Sequence, residues 1–267
     1  MKWFKRILFL LLGLVGLALV TVYAGSAVIL NRSYEPVEHN LLTSSRPDVI
    51  SGGERLAKVY GCHEGCHGKD MQGQVFFEQP FLARVIAPNL TTATERYSAT
   101  ELEAIIRQGI KPDGKSVMGM PSASFSYLSD SDLSAIVSFI RSYPQSDHDA
   151  GKSSFGPLAR LGILTGEFQP AAAELRDTAH KALEPGSGEY IAMTACSECH
   201  GMELDGGFAP NLVIAKAYDL DAFTRLMRDG ESVGGNELGL MAVVSRKRFA
   251  HFTETEIEAL HAYLHSR

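Results

Sequence analysis

The sequence predicts an all-α protein made of two similar helical domains in tandem behind an apolar N-terminal helix. Three observations carry this expectation. Ile7 to Asn31 is a run of 25 positions without a charged residue. Residues 51–143 and 186–267 repeat the same motifs in the same order, and such repetition fixes the architecture before any single element is assigned. Apolar residues in both halves recur at helical intervals, while alternation at period two is scarce. A chain of 267 residues, 45% hydrophobic and 21% charged, suits about two domains and excludes disordered or collagen-like classes. Its net charge of −6, from 25 Lys+Arg against 31 Asp+Glu, argues against nucleic acid as a partner, because phosphate neutralisation needs a basic surface.

The N-terminal element comes first. Lys2, Lys5 and Arg6 precede the uncharged run, which as a helix would cover roughly 38 Å against an apolar bilayer core of about 30 Å. Residues 1–31 are therefore expected to form a signal-anchor or transmembrane segment, with the basic flank inside and the body from Arg32 onward outside. Val22-Tyr23-Ala24 resembles a small-residue cleavage site, so removal as a signal peptide is the alternative. Ala27 to Leu30 continue the apolar run past that site and favour a retained anchor. Either way the body is exported.

Each half then opens on two cysteines and a histidine. Cys62-His63-Glu64-Gly65-Cys66-His67-Gly68 faces Cys196-Ser197-Glu198-Cys199-His200-Gly201, and Pro88-Asn89-Leu90 faces Pro210-Asn211-Leu212. Amphipathic segments Glu101 to Gln108 and Asp221 to Asp229 end at Gly109 and Gly230, where a helix C-terminus favours a residue tolerant of positive φ. Eleven residues beyond each glycine stands a methionine, Met120 and Met241, expected on a loop. The last element of each half is a helix, opened by Ser129 to Asp132 and by the capping box Thr253 to Glu256. Leu133, Ile136, Val137 and Ile140 form its apolar stripe in one half, and Ile257, Leu260 and Leu264 in the other. Residues 144–185, with Gly151, Gly156-Pro157 and Gly166, read as a linker over the surface with one helix near Ala171 to Ala182.

A Cys-x-x-Cys-His run has a chemical purpose: two thiols on one turn add to the vinyl groups of a heme, and the adjacent imidazole reaches the iron. The second motif matches outright, and the first carries one more residue between its thiols. A disulfide within each pair or a zinc site are the competing readings. Two copies, each with a Pro-Asn-Leu and a placed methionine, favour heme. A thioether sulfur is the expected sixth ligand. Met71 and Met202 stand too close to their histidines to cross the ring, and Met193 and Met227 lie in helical patterns that suit core packing. Met118, Met120 and Met241 remain; Met120 is preferred to Met118 because Pro121 stiffens its loop and it shares its spacing with Met241. The other histidines (His39, His63, His148, His180, His251, His261 and His265) read as surface or packing residues. Tyr60, Phe76, Phe77, Phe81, Tyr190 and Phe208 are candidates to wall a heme or to pack the core.

Both repeats resemble monoheme c-type cytochrome domains, and the exported part resembles a membrane-anchored diheme cytochrome c of the bacterial periplasm. The resemblance implies two covalent heme c groups. One is held by Cys62, Cys66, His67 and Met120, the other by Cys196, Cys199, His200 and Met241, with iron bound by His67, Met120, His200 and Met241. It also implies that Pro88 and Pro210 offer carbonyls to the ring N–H groups of the two histidines. The expected role is a tethered carrier of single electrons in the respiratory chain. Its donor would be a dehydrogenase or quinol-oxidising complex, its acceptor an oxidase or another cytochrome, and its place the inner membrane with the heme domains in the periplasm. The alternatives are a diheme peroxidase-like enzyme, or a heme subunit of an alcohol dehydrogenase or terminal oxidase complex. A methionine at both hemes weighs against the peroxidase, as does a sole tryptophan, Trp3, ahead of the anchor. Residues 51–143 carry nine basic against ten acidic residues and 186–267 seven against twelve, so the second half is the better match for a basic partner. Arg246-Lys247-Arg248 interrupts that acidity and reads as a solvated surface run, with a docking spot or propionate partner as the alternative.

Overall fold

The computed structural model describes residues 2–175 and 182–267. The helix α1 (Lys2–Leu30) is long and apolar enough to cross a membrane, and its most hydropathic stretch buries nothing against the rest of the chain. Next come α2 (Pro47–Val59), the strands β1 (Gln74–Gln79) and β2 (Ala83–Ala87), then α3 (Ala93–Arg96), α4 (Ala99–Gln108), α5 (Ser122–Phe125) and α6 (Asp130–Ser142). β3 (Ser154–Phe155), α7 (Pro157–Thr165) and α8 (Ala171–Glu174) follow. The second half starts at α9 (Gly188–Ile191), which runs through a π turn, Ala192–Cys196, into α10 (Ser197–His200). A 3₁₀ stretch, Leu212–Ala217, leads to α11 (Leu220–Asp229), α12 (Leu240–Lys247) and α13 (Glu254–Ser266).

The caps follow the expected chemistry. The Ser129 hydroxyl accepts from the Asp132 N–H, and Thr253 and Glu256 complete a reciprocal capping box. A second capping box, Ser98 with Glu101, opens α4 and was not anticipated. Gly109 and Gly230 close α4 and α11 at φ of 67° and 77°, a left-handed conformation that costs a glycine little.

The same helix crossing occurs twice. α2 packs along α6 and α9 along α13, with a glycine at each point of approach. A Cβ on Gly53 would stand 2.0 Å from the Ala135 carbonyl oxygen, and one on Gly188 would stand 2.1 Å from that of Ala259. Around these crossings the buried residues of both halves join into one cluster, from Leu56 and Ile136 through Phe125 and Tyr190 to Phe249 and Leu260. Polar contacts reinforce the seam. The Tyr190 hydroxyl donates to Asp132 Oδ2 at 2.5 Å and accepts from the Ser129 N–H at 3.1 Å. Arg55 reaches across to both carboxylate oxygens of Glu256, at 2.8 and 3.1 Å.

Three features differ from expectation. The chain is mostly helical, yet β1, β2 and β3 form a small antiparallel sheet in that order. Val75-Phe76-Phe77 and Val85-Ile86 are good strand formers, but a bulge between Val75 and Phe77 breaks the period-two pattern that would have revealed them. The segment expected to be a surface linker is built into the fold: β3 pairs with β2, α7 packs on α1, and Ala171 and Ala172 are buried. Of the helix expected near Ala171 to Ala182, the turn Ala171–Glu174 is present, and residues 176–181 lie outside the described ones. Met241 stands in the first turn of α12 and not on a loop, because Met-Ala-Val-Val continues as helix once Gly239 has turned the chain.

Candidate functional site

The Cys62–Cys66 segment is a run of turns and Cys196–His200 is helical, but from the histidine onward the two motifs follow similar backbones. His67 and His200 are 133 positions apart, as are Gly68 and Gly201, Met71 and Leu204, and Gly73 and Gly206. The backbone conformations correspond except at the last pair, where Gly73 has φ of 80° and Gly206 of 122°. Gly68 and Gly201 have φ of 83° and 81°, and Met71 and Leu204 both have 55°. The N–H of Gly73 donates to the His67 carbonyl, and that of Gly206 to the His200 carbonyl. The extra residue of the first motif is taken up at Glu64, in left-handed conformation at φ 61°. Gly65 serves there by close approach, since a Cβ would stand 2.6 Å from the Gly61 Cα.

Each imidazole stands on a proline carbonyl. His67 Nδ1 lies 2.8 Å from the Pro88 carbonyl oxygen, and His200 Nδ1 lies 2.6 Å from that of Pro210. A donating Nδ1–H fixes the tautomer and leaves Nε2 as the lone-pair nitrogen of each ring. Burial pushes the His67 pKa down against the opposing effect of the Pro88 carbonyl, which favours the neutral imidazole that an iron takes.

The histidine and proline are 21 residues apart in the first half and 10 in the second. The eleven additional residues are accommodated in the β1–β2 hairpin. Its Phe76, Val85 and Ile86 wall an apolar cleft that also contains Cys62, Cys66, His67, Met118 and Met120. The second cleft holds Cys196, Cys199, His200, Pro210 and Met241, with Phe208 at its wall. Met120 and Met241 also pack against the main core, whereas Met118 lines the cleft without doing so. Of the aromatic candidates, Tyr60, Phe76 and Phe208 line clefts, Tyr190 is core, and Phe81 is exposed.

No disulfide joins any of the four cysteines. Burial pushes the Cys62 and Cys196 thiols up to about 12 and also raises those of Cys66 and Cys199, so each stands protonated at neutral pH. Zinc binds thiolates and takes four ligands, and among the described residues no group of three or more His, Cys, Asp or Glu side chains could hold a metal ion. Paired thiols beside a single oriented imidazole in an apolar cleft form a donor set that fits heme c.

The two motifs abut. The hydroxyls of Ser124 and Ser197 are 2.7 Å apart, and those of Tyr60 and Thr194 3.2 Å. Arg248 lies between them, 5% exposed: its Nε donates to the Val59 carbonyl at 2.9 Å and its Nη atoms pair with the Glu198 carboxylate, inside the second motif. Glu198 also lines the first cleft. This corrects the reading of Arg246-Lys247-Arg248 as a solvated run, because Arg248 is the buried member and Arg246 alone pairs at the surface, with Glu237. A charged triplet carries no sign of which residue turns inward, and no role was expected for Glu198. His63 is buried beside Phe139 and Tyr143, ring centroids 5.5 Å away, and His261 bonds the Tyr218 carbonyl, so both are packing residues.

Residues 53–144 match the family model described as Cytochrome c. The chain is also similar to two proteins named "Alcohol dehydrogenase (quinone), cytochrome c subunit", from Gluconacetobacter polyoxogenes and Komagataeibacter europaeus. Each is 26% identical over 164 residues, which is 58% of this chain and 35% of the relative. The match thus spans about a third of the length of those curated relatives. Residues 53–144 are thus similar to a cytochrome c domain, a kind of domain that carries covalently bound heme c and transfers electrons.

Proposed function

We propose that the chain is a membrane-tethered diheme cytochrome c, with domains at 51–143 and 186–267, that carries single electrons between a donor complex and an acceptor. The observation that supports it best is the doubled imidazole, each fixed on its own proline carbonyl beside a pair of cysteines. Cys62 and Cys66 would hold the first heme and Cys196 and Cys199 the second. His67 and His200 would bind iron from one side, and Met120 and Met241 would supply the sulfur ligands. The heme supplies an iron that changes oxidation state by one electron. The protein's part is to hold that iron without rearrangement: the proline carbonyls orient the rings, the thioether sulfurs favour the reduced state, and the apolar walls exclude water.

The donor is a dehydrogenase or a quinol-oxidising complex, and the acceptor an oxidase or another cytochrome. α1 anchors the protein in the bacterial inner membrane with the clefts in the periplasm. A second reading, a heme subunit inside an alcohol dehydrogenase complex, is favoured by the printed name of the two relatives. The purified holoprotein is expected to carry two hemes that survive denaturation; a mass showing one would remove the first site. Met241→Ala and Met120→Ala should each open one iron and lower that heme's potential, with Met118→Ala spectroscopically silent. Loss of the sulfur-to-iron charge-transfer band in Met118→Ala, with retention in Met120→Ala, would reverse the choice of ligand.

A further inference from the structure

The segment between the two halves holds an apolar surface that neither cleft uses. α7 packs against the C-terminal end of α1: Arg160 Nη1 donates to Ser26 Oγ at 3.0 Å, and its guanidinium lies 4.7 Å from the centroid of the Tyr23 ring. Leu164 fills the space over Gly25, where a Cβ would stand 2.6 Å from its Cδ1. The 29 residues of α1 would extend about 43 Å, more than the ~30 Å hydrocarbon core requires. About twenty residues counted from Ile7, the first beyond Arg6, bring the outer boundary near Ser26. α7 is thus held at the level where acyl chains give way to headgroups.

The inward face of α7 is Ala159, Gly162 and Ile163, all buried. Outward it shows Leu158, 57% exposed, and Leu161, 46% exposed. The patch continues on both sides. The Leu158 N–H bonds the carbonyl of Phe81, which is 76% exposed at the turn of the β1–β2 hairpin, and the Phe168 ring, 46% exposed, lies over Gly162. Arg160 is the one charged residue in α7, and it faces α1.

We propose that α7, the hairpin turn at Phe81 and Phe168 form a lipid-contact surface seated in the outer boundary of the bilayer. The proposal rests on α1 spanning that bilayer. Four large apolar side chains on and beside a short helix are what an interfacial segment inserts. They fall well short of the 20 to 30 residues per side of a standard protein interface. The position of the patch, continuous with the end of the spanning helix, selects lipid as the occupant. The hairpin that walls the first cleft with Phe76 and Val85 is thereby held at the membrane, so the first site is the membrane-side one of the pair.

The test is photo-crosslinking in intact membranes of cells expressing the full holoprotein, with benzoylphenylalanine placed singly at Leu161, at Phe81 and, for the anchor, at Leu14. Lipid adducts at all three positions, comparable in yield, are expected. Lipid adducts at Leu14 with none at Leu161 and Phe81 would overturn the proposal and leave the anchor standing. No lipid adduct at any position would overturn the anchor and the proposal together. Adducts to a protein at Leu161 would assign the patch to a partner chain and overturn the lipid reading. Leu158→Asp with Leu161→Asp should keep the heme spectrum unchanged and lose the lipid adduct at Phe81; persistence of that adduct would show that α7 does not seat the hairpin.

Discussion

Arg248 is the side chain on which the two candidate heme sites depend in common, since it bonds the backbone leading into the first motif and the carboxylate within the second. Removing one member of a buried pair leaves an uncompensated charge, at a cost of about 3–5 kcal/mol, whereas replacing both is close to neutral. Arg248→Met is therefore expected to lower the denaturation midpoint sharply, and Arg248→Met with Glu198→Gln to recover most of it. A double variant as unstable as the single one would make the arginine's packing the dominant contribution. Glu103, 1% exposed, shows the other behaviour of a buried carboxyl. Burial raises its pKa above the ordinary 4.5, with Arg107 partly opposing. The native state then holds this proton more tightly than the unfolded chain does, so its contribution is lost as pH rises from 4.5 through the raised value. Chemical denaturation across that window should show the stability difference between wild type and Glu103→Gln moving in favour of the variant and then levelling off. A difference that is flat with pH would show no shift in the folded state.

At the scale of elements, the helix crossings matter more than the helices. The capped stripes of α6 and α13 are legible because capping boxes and i, i+3, i+4 periodicity are local signals. Gly53 and Gly188 carry no such signal. Each reads as an ordinary small residue until the opposing carbonyl of Ala135 or Ala259 is in place. Gly53→Ala and Gly188→Ala should each destabilise the fold by about 1–3 kcal/mol through overpacking at the crossing, as measured by thermal or denaturant unfolding. Unchanged stability would mean that the helices separate freely. The β1–β2 hairpin was hidden by its bulge, although the spacing from histidine to proline, 21 residues against 10, marks where an insertion had to lie.

On the scale of the molecule, the two halves share one buried cluster and are tied by Tyr190 to Asp132, Arg55 to Glu256 and Arg248 to the Val59 carbonyl. Separate cores were the natural expectation for a tandem repeat. A continuous core makes unfolding cooperative. The holoprotein should show a single denaturant transition with coincident changes in helicity and in heme absorbance. A fragment of residues 186–267 alone, stripped of the seam, should melt well below the intact chain. Two resolved transitions, or a fragment as stable as the whole, would show the halves to be energetically independent.

The amino-acid sequence alone determined the apolar N-terminal helix, the doubled Cys-Cys-His motifs, and the caps and C-terminal glycines of the helices. These are readable because each depends on neighbours within one element or on a spacing that the second copy repeats. Only the tertiary structure decided that Arg248 turns inward, that the halves fuse their cores, that the intervening segment pairs with the hairpin, and that α7 clasps the end of α1. Each of these joins residues tens to hundreds of positions apart. Chain periodicity carries no information about such contacts, because packing, burial and charge pairing are set by which surfaces meet.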